Sequence, residues 1–282
     1  MNASVVADLH LHSHHSDGVL APDDLMELAA ARGVTLAALT DHDTTAGLDT
    51  AAAAAHRHGI AFVRGVEMST GWNGQSVHVI ALGVPEARDA RATLEAHLAA
   101  VRARRADRLH EIGARLQRKT RLPGVELAAA VCGAHDVPTR MHLARALVEH
   151  SHARDVGDAF DRWLGHKAPG HVPETWHDLA TTLVALRSCG ATAVLAHPHR
   201  YRLSSGALRR LLGEFREHGG VAMEVSVGGM SQNDLDRLAT LARNGGFLAS
   251  TASDFHDPAL PWNLPGRFAK LPAGLESVAA HF

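Results

Sequence analysis

The sequence predicts an α/β fold in which a mostly parallel sheet closes into a barrel, interrupted once by a helical insertion. Three observations predict it. Short apolar runs alternate with helical stretches, the pattern of parallel strands covered by helices. The alternation recurs along the whole 282 residues, which favours a barrel over an open sheet. Between residues 87 and 164, in contrast, no strand-like run occurs.

Residues 5–9 read as the first strand, and 22–32 as a helix with Pro22 near its start. Residues 34–39 read as a strand, the Ala-rich 45–58 as a helix, and 60–66 and 76–82 again as strands. In the second half, strands at 191–196, 220–225 and 247–251 are separated by helices at 176–188, 205–218 and 232–244. The middle reads as a long Arg-rich helix over 91–118, a break at Pro123-Gly124, and shorter helices at 125–131, 139–150 and 156–163. These patterns divide the chain into a barrel, residues 1–98 and 168–282, and an insertion or cap, residues 99–167.

The bulk numbers exclude several classes. At 46% hydrophobic the chain can bury a large core. A net charge of −2 gives no global field for long nucleic acid. Two cysteines, Cys132 and Cys189, are too few for a disulfide framework. No run reaches the roughly 18 apolar residues of a membrane span, and the start lacks the pattern of a signal peptide, so a cytoplasmic location is expected. The composition points to no protein partner. The 22 histidines stand out. The abundance of Ala, Arg and Gly beside them points to codon bias, so position must decide which histidines matter.

His10-Leu11-His12 follows the first strand, and residues i and i+2 of a strand share a face. The pattern alone is weak: chance gives roughly one or two His-x-His pairs at this content, and five occur. The 56/58 and 150/152 pairs fall in helices, where i and i+2 diverge. The company of the first pair is what counts. Asp17 sits in a Ser-Asp-Gly turn, Thr40-Asp41-His42-Asp43 ends the second strand, and Gly65-Val66-Glu67 ends the third. His78 lies in the fourth, Ala196-His197-Pro198 ends a later one, and Ser253-Asp254-Phe255-His256 follows the last. Strand C-termini form the face on which barrel enzymes carry their sites.

Together these motifs resemble the polymerase-and-histidinol-phosphatase (PHP) family of metal-dependent phosphoesterases, over nearly the whole chain from Asp8 to His256. The run Arg140-Met141-His142-Leu143-Ala144-Arg145-Ala146-Leu147 resembles the TrpH/RNase AM-like branch, which includes nucleoside 3′,5′-bisphosphate phosphatases and a 5′-to-3′ exoribonuclease. The resemblance implies a distorted (β/α)7 TIM-like barrel, the PHP fold, and three divalent ions per chain, often manganese, with iron or zinc as alternatives. By resemblance, His10, His12, Glu67 and Asp254 hold one ion. Glu67 bridges to a second, completed by His78 and His197. Asp17, His42 and His256 hold the third. Met141 departs from a frequent proline, Ala191 from a frequent glycine, and His199 stands where glycine is common; none removes a ligand. Independently, a mixed imidazole and carboxylate set suits Mn, Fe or Zn better than Ca or Mg. Three carboxylates against three divalent ions leave a positive site, suited to a phosphate ester.

The expected reaction is attack on phosphorus by a water shared between two ions, whose pKa falls to about 7. Besides the ligands Glu67 and His197, Arg200 is the leading phosphate clamp, and His199 a candidate acid for the leaving group. Arg140 and His142 are expected to descend from the insertion, and Lys167 from the returning loop, as substrate-binding residues. Either one of Asp41 and Asp43 orients a ligand imidazole or both serve as turn residues, His14 and His15 read as rim loop residues, and Trp72 either stacks on a base or packs against the insertion. Arg102, Arg104, Arg105 and Arg108 line an open RNA groove or form a solvated helix face; the second reading is preferred. The expected substrate is therefore a small nucleotide, a nucleoside 3′,5′-bisphosphate losing its 3′-phosphate, with short 5′-phosphorylated RNA as the alternative. Amidohydrolase-type barrels also place His-x-His after their first strand, but Glu67 at the bridging position and the closing Ser-Asp-x-His favour the phosphoesterase.

Overall fold

The computed structural model describes residues 5–282, so the first four residues of the barrel segment lie outside the described residues. Seven strands form one sheet in sequence order: β1 (Ala7–Leu11), β2 (Leu36–Leu39), β3 (Ala61–Trp72), β4 (Gln75–Leu82), β5 (Thr192–Leu195), β6 (Ala222–Val227) and β7 (Leu248–Ala252). The edges β1 and β7 meet through a parallel bridge from Leu11 to Phe255 and the bond from the His12 N–H to the Phe255 carbonyl. The result is a nearly closed, distorted barrel. Its wall is apolar on both faces: Leu36, Ala38, Ile80, Val194 and Ala222 fill one cluster, while Ala37, Leu39, Val79, Leu195 and Met223 meet the outer helices in another. This is the period of two expected of strands buried on both sides.

Four of the strand pairings are parallel; β4 runs antiparallel to β3 and to β5. The cause is local. Asn73 and Gly74 both adopt positive φ, 46° and 74°, the geometry that a two-residue hairpin of right-twisted strands requires. β3 therefore continues six residues past its predicted end. Because β4 is reversed, the start of the strand lies at the rim with the ends of the parallel strands. Register pairs Ser69 with His78 there. β1 also begins and ends later than predicted, so His10 lies within the strand rather than beyond it.

Outside the sheet pack α1 (Pro22–Ala31), α2 (Leu48–Arg57), α7 (Leu179–Arg187), α8 (Ser205–Glu217) and α9 (Gln232–Gly245). Between β4 and β5 lie α3 (Ala92–Lys119), α4 (Gly124–Ala134), α5 (Arg140–Glu149) and the short α6 (Val156–Ala159), which runs on as a π-helical turn, Phe160–Leu164. α3 is about 42 Å long at 1.5 Å per residue and serves two cores. Leu94 and Leu98 join the barrel's outer core, whereas Leu109, Ile112 and Leu116 join a separate cluster with Leu127, Val131, Leu143 and Leu147. α3 and α4 cross where Gly113 meets Gly124: a Cβ on Gly113 would lie 2.4 Å from the Gly124 carbonyl oxygen. Among the described residues no helix is long and apolar enough to cross a membrane.

Candidate metal centre and active site

The site starts from loops that the barrel pins down. Asp41 accepts from the Ser13 N–H at 2.7 Å, the Ser13 hydroxyl at 2.6 Å and the Ser16 hydroxyl at 2.7 Å, fixing the turn that carries Asp17. A Cβ on Gly18 would lie 2.4 Å from the His12 carbonyl oxygen, so the turn closes only around glycine. Asp43 accepts from the Ser69 N–H and hydroxyl and from Arg105. Neither aspartate bonds to a ligand imidazole; of the two expected roles, orienter or turn residue, both take the second. Asp43, His197 and Asp254 adopt positive φ, 49°, 29° and 53°. Three strained non-glycine residues on one rim are held there by their surroundings, as is common at functional sites.

The nine residues grouped by resemblance converge on one buried cluster. Glu67 Oε2 lies 2.9 Å from His42 Nδ1, 3.2 Å from His10 Nε2 and 3.3 Å from His12 Nε2. Its other oxygen lies 2.8 Å from His78 Nδ1 and 2.9 Å from His197 Nε2. Asp254 Oδ1 is 3.4 Å from His10 Nε2 and 3.3 Å from His12 Nε2, and Asp17 Oδ1 is 3.3 Å from His256 Nε2.

The donor set fits divalent cations. Despite these short distances, Asp17 Oδ1, Glu67 Oε2, His42 Nδ1 and His197 Nδ1 are buried without a well-aligned hydrogen bond, a geometry that suits atoms aimed at a shared cation rather than at one another. Three sets of ligand atoms each lie within 4.8 Å of one another: His10, His12 and Glu67; His42, Glu67 and His78; and His12, Asp17, His42 and His256. The first and last correspond to two of the sets implied by resemblance, without Asp254 and with His12 added respectively. The second holds His42 in place of His197.

Electrostatics agree. Burial opposes ionisation of Glu67, Asp17 and Asp254, yet surrounding imidazoles, and Arg200 for Asp254, hold all three well below the usual carboxylate range. Burial also works against charge on His12, but Asp254 and Glu67 raise it to about 9. Burial lowers His42 and His197, favouring the neutral, ligating form. The cluster thus pairs ionised carboxylates with imidazoles, His10, His12 and His78, that hold protons despite burial, protons that cation binding would release.

Beside it opens a cavity of about 290 Å³, walled by barrel and insertion together. His42, His78, His197 and Arg200 line it together with Arg105, Arg108, Arg140, Phe160 and Trp176. Arg200 pairs with Asp254, and Arg108 and Arg140 each lie 3.1 Å from Glu174. The side chain of Arg105 is only 9% exposed, so the preferred solvated-face reading is corrected for Arg105 and Arg108, which Asp43, Glu174 and nearby carbonyls fold inward, while Arg104 is exposed as that reading expects.

Four residues expected near the substrate do not line this cavity. His142 belongs to the N-terminal cap of α5, where its Nδ1 accepts from the Thr139 N–H at 3.2 Å, and its ring stacks on His135 at 3.7 Å. His199 lies outside the cavity lining, and Lys167 sits on an exposed turn with φ of 68°. Trp72 is buried and donates to Glu214, so it neither stacks on a base nor meets the insertion. Glu224, Tyr201, Phe160 and Trp176 were missed; an acidic residue inside the strand Ala222–Val227 was the one legible signal among them.

The PHP domain family matches residues 8–116. The 5′-3′ exoribonuclease Rnm of Salmonella typhimurium is 39% identical over 98% of this chain and 94% of its own. The 3′,5′-nucleoside bisphosphate phosphatase of Chromobacterium violaceum is also 39% identical, over 89% of this chain and 87% of its own. Among solved structures, a Chromobacterium violaceum protein described as an amidohydrolase, with bound sulfate and no metal, superposes with a TM-score of 0.89 at 36% identity. That match covers 98% of this chain and 95% of the other. A putative metal-dependent phosphoesterase from Bifidobacterium adolescentis reaches 0.79 at 27% identity, over 97% and 93% of the two chains. Motifs, barrel, cluster and relatives thus agree: the chain belongs to the PHP-domain family and is a metal-dependent hydrolase of phosphate esters.

Proposed function

We propose that this chain removes the 3′-phosphate from nucleoside 3′,5′-bisphosphates. The observation that carries the reading is one cavity lined both by arginines of the insertion and by residues of the ligand cluster. A substrate with two phosphates matches two poles. Arg105, Arg108 and Arg140 offer bidentate donors to the terminal phosphate, while the ester to be cut lies beside Glu67, His78 and His197. Phe160 and Trp176 supply flat apolar faces for a base. At about 290 Å³ the cavity suits a small ligand. The names of the relatives in Chromobacterium and Salmonella support a nucleotide ester over an amide.

In this reading His10, His12, Asp17, His42, Glu67, His78, His197, Asp254 and His256 hold three divalent ions, manganese first, iron or zinc as alternatives. Bound there, such ions supply Lewis acidity toward phosphoryl oxygens and bring the pKa of water to about 7. The protein's own contribution is preorganisation. Arg200, braced by Asp254, is placed to neutralise charge developing on a phosphoryl oxygen. Arg105, braced by Asp43, keeps its guanidinium fixed rather than swinging in solvent.

A second reading, 5′-to-3′ removal of nucleotides from short 5′-phosphorylated RNA, uses the same poles and is favoured by the exoribonuclease names of three relatives. The test is phosphate release from a 3′,5′-bisphosphate compared with mononucleotide release from 5′-phosphorylated RNA, with elemental analysis of the same preparation. Faster turnover of the bisphosphate is expected. Preference for RNA decides for the second reading, and activity that survives exhaustive chelation ends both.

A further inference from the structure

We propose that Glu224 is the positioning residue of the metal centre, holding two of its ligands on different strands with one carboxylate. The proposal rests on the reading that the nine-residue cluster binds cations. Glu224 is fully buried in the middle of β6. Ala222, two residues earlier, belongs to the barrel-interior cluster, while Met223 and Val225 face the outer helices. The period of two therefore aims Glu224 into the barrel, beneath the ligands.

Its two oxygens do different jobs. Oε1 lies 2.7 Å from His10 Nδ1. The other accepts from the backbone N–H of His197. The first bond fixes the proton of His10 on Nδ1 and leaves Nε2 facing Glu67 and Asp254, at 3.2 and 3.4 Å. Ligand imidazoles need such a partner, since it sets both tautomer and ring angle. The second bond holds the peptide of His197, whose φ of 29° is a strained value that unaided backbone would relax. One side chain thus ties a ligand of β1 to the ligand that follows β5. A carboxylate accepts at both oxygens, whereas the isosteric amide accepts at one and points a donor at the other partner. Glu224→Gln therefore removes one bond whichever way it turns, with almost no change in volume.

The experiment uses the full chain loaded with zinc, His-labelled with ¹⁵N, as wild type and Glu224→Gln. In the wild type His10 is expected to coordinate through Nε2 and to show a slowly exchanging Nδ1–H at low field. In Glu224→Gln that proton exchanges faster, and zinc affinity measured against a competing chelator falls by about 10- to 100-fold. A purely structural glutamate moves neither the His10 resonance nor the affinity of the folded protein. Coordination of His10 through Nδ1 in the wild type overturns the proposal, and so does unchanged zinc affinity in Glu224→Gln. If the variant does not fold, the wild-type resonance alone decides. A wild type that holds no zinc overturns the metal reading and this proposal with it; normal zinc binding in both proteins overturns this proposal alone.

Discussion

Glu67 touches five imidazoles through two oxygens, so its loss would disorganise the whole cluster at once. Glu67→Ala is expected to abolish turnover and lower metal content, a larger effect than the roughly 10- to 100-fold cost of losing an outer-shell partner. Wild-type activity in that variant would sink the bridging role. At this scale the sequence was most legible where residue type and strand position coincide: His10, His42, His197 and Asp254 stand at strand ends, and geometry alone brings them together. It was least legible where chemistry depends on a side chain's direction. His199 and Arg200 are neighbours, yet only Arg200 turns into the cavity. Glu224 escaped notice because its partners lie 214 and 27 residues away in sequence.

Among the elements, α5 carries a concealed dependence on pH. His142 completes the capping box with Thr139, and burial, with His135 stacked beside it, lowers its pKa from 6.5 to about 4. The folded value lies below the unfolded one, so the contribution is present above pH 6.5 and is lost as pH falls through about 4. A difference of this size is worth at most about 3 kcal/mol. Melting of the chelated protein should therefore weaken between these limits, and His142→Gln, which keeps the capping-box chemistry, should flatten that slope in thermal scans. Identical slopes would remove His142 as the cause. Element type was legible wherever an apolar period was sustained, as in α8 and α9. The reversal of β4 was not, because an Asn-Gly turn signals a hairpin only once the flanking runs are known to pair. The inward arginines of α3 were hidden too: a helical period marks a face, but only the neighbouring Asp43 and Glu174 tell whether that face is wet.

For the molecule as a whole, folding gathers carboxylates and imidazoles that the unfolded chain keeps far apart. Ions that bind only the folded form must therefore stabilise it. At a free concentration 100-fold above the dissociation constant, one ion adds about 2.7 kcal/mol, which is worth roughly 5 to 10 °C in melting temperature for a chain of this size. Calorimetry with and without manganese or zinc checks this, and an unmoved transition would contradict a folded-state ion site. The barrel class was legible from alternation along the chain, whereas its near-closure rests on the Leu11–Phe255 bridge, a long-range pairing that no local pattern encodes. A last consequence follows from α3, whose single rod is rooted in the barrel and also forms the backbone of the cap. A lid on a loop can flap; a lid on an unbroken helix must carry its anchor along or bend. If the proposed two-phosphate substrate is correct, the spacing between the guanidinium groups it carries and the ligand cluster is set by the helix itself, and such substrates are expected to be sorted by whether they span it.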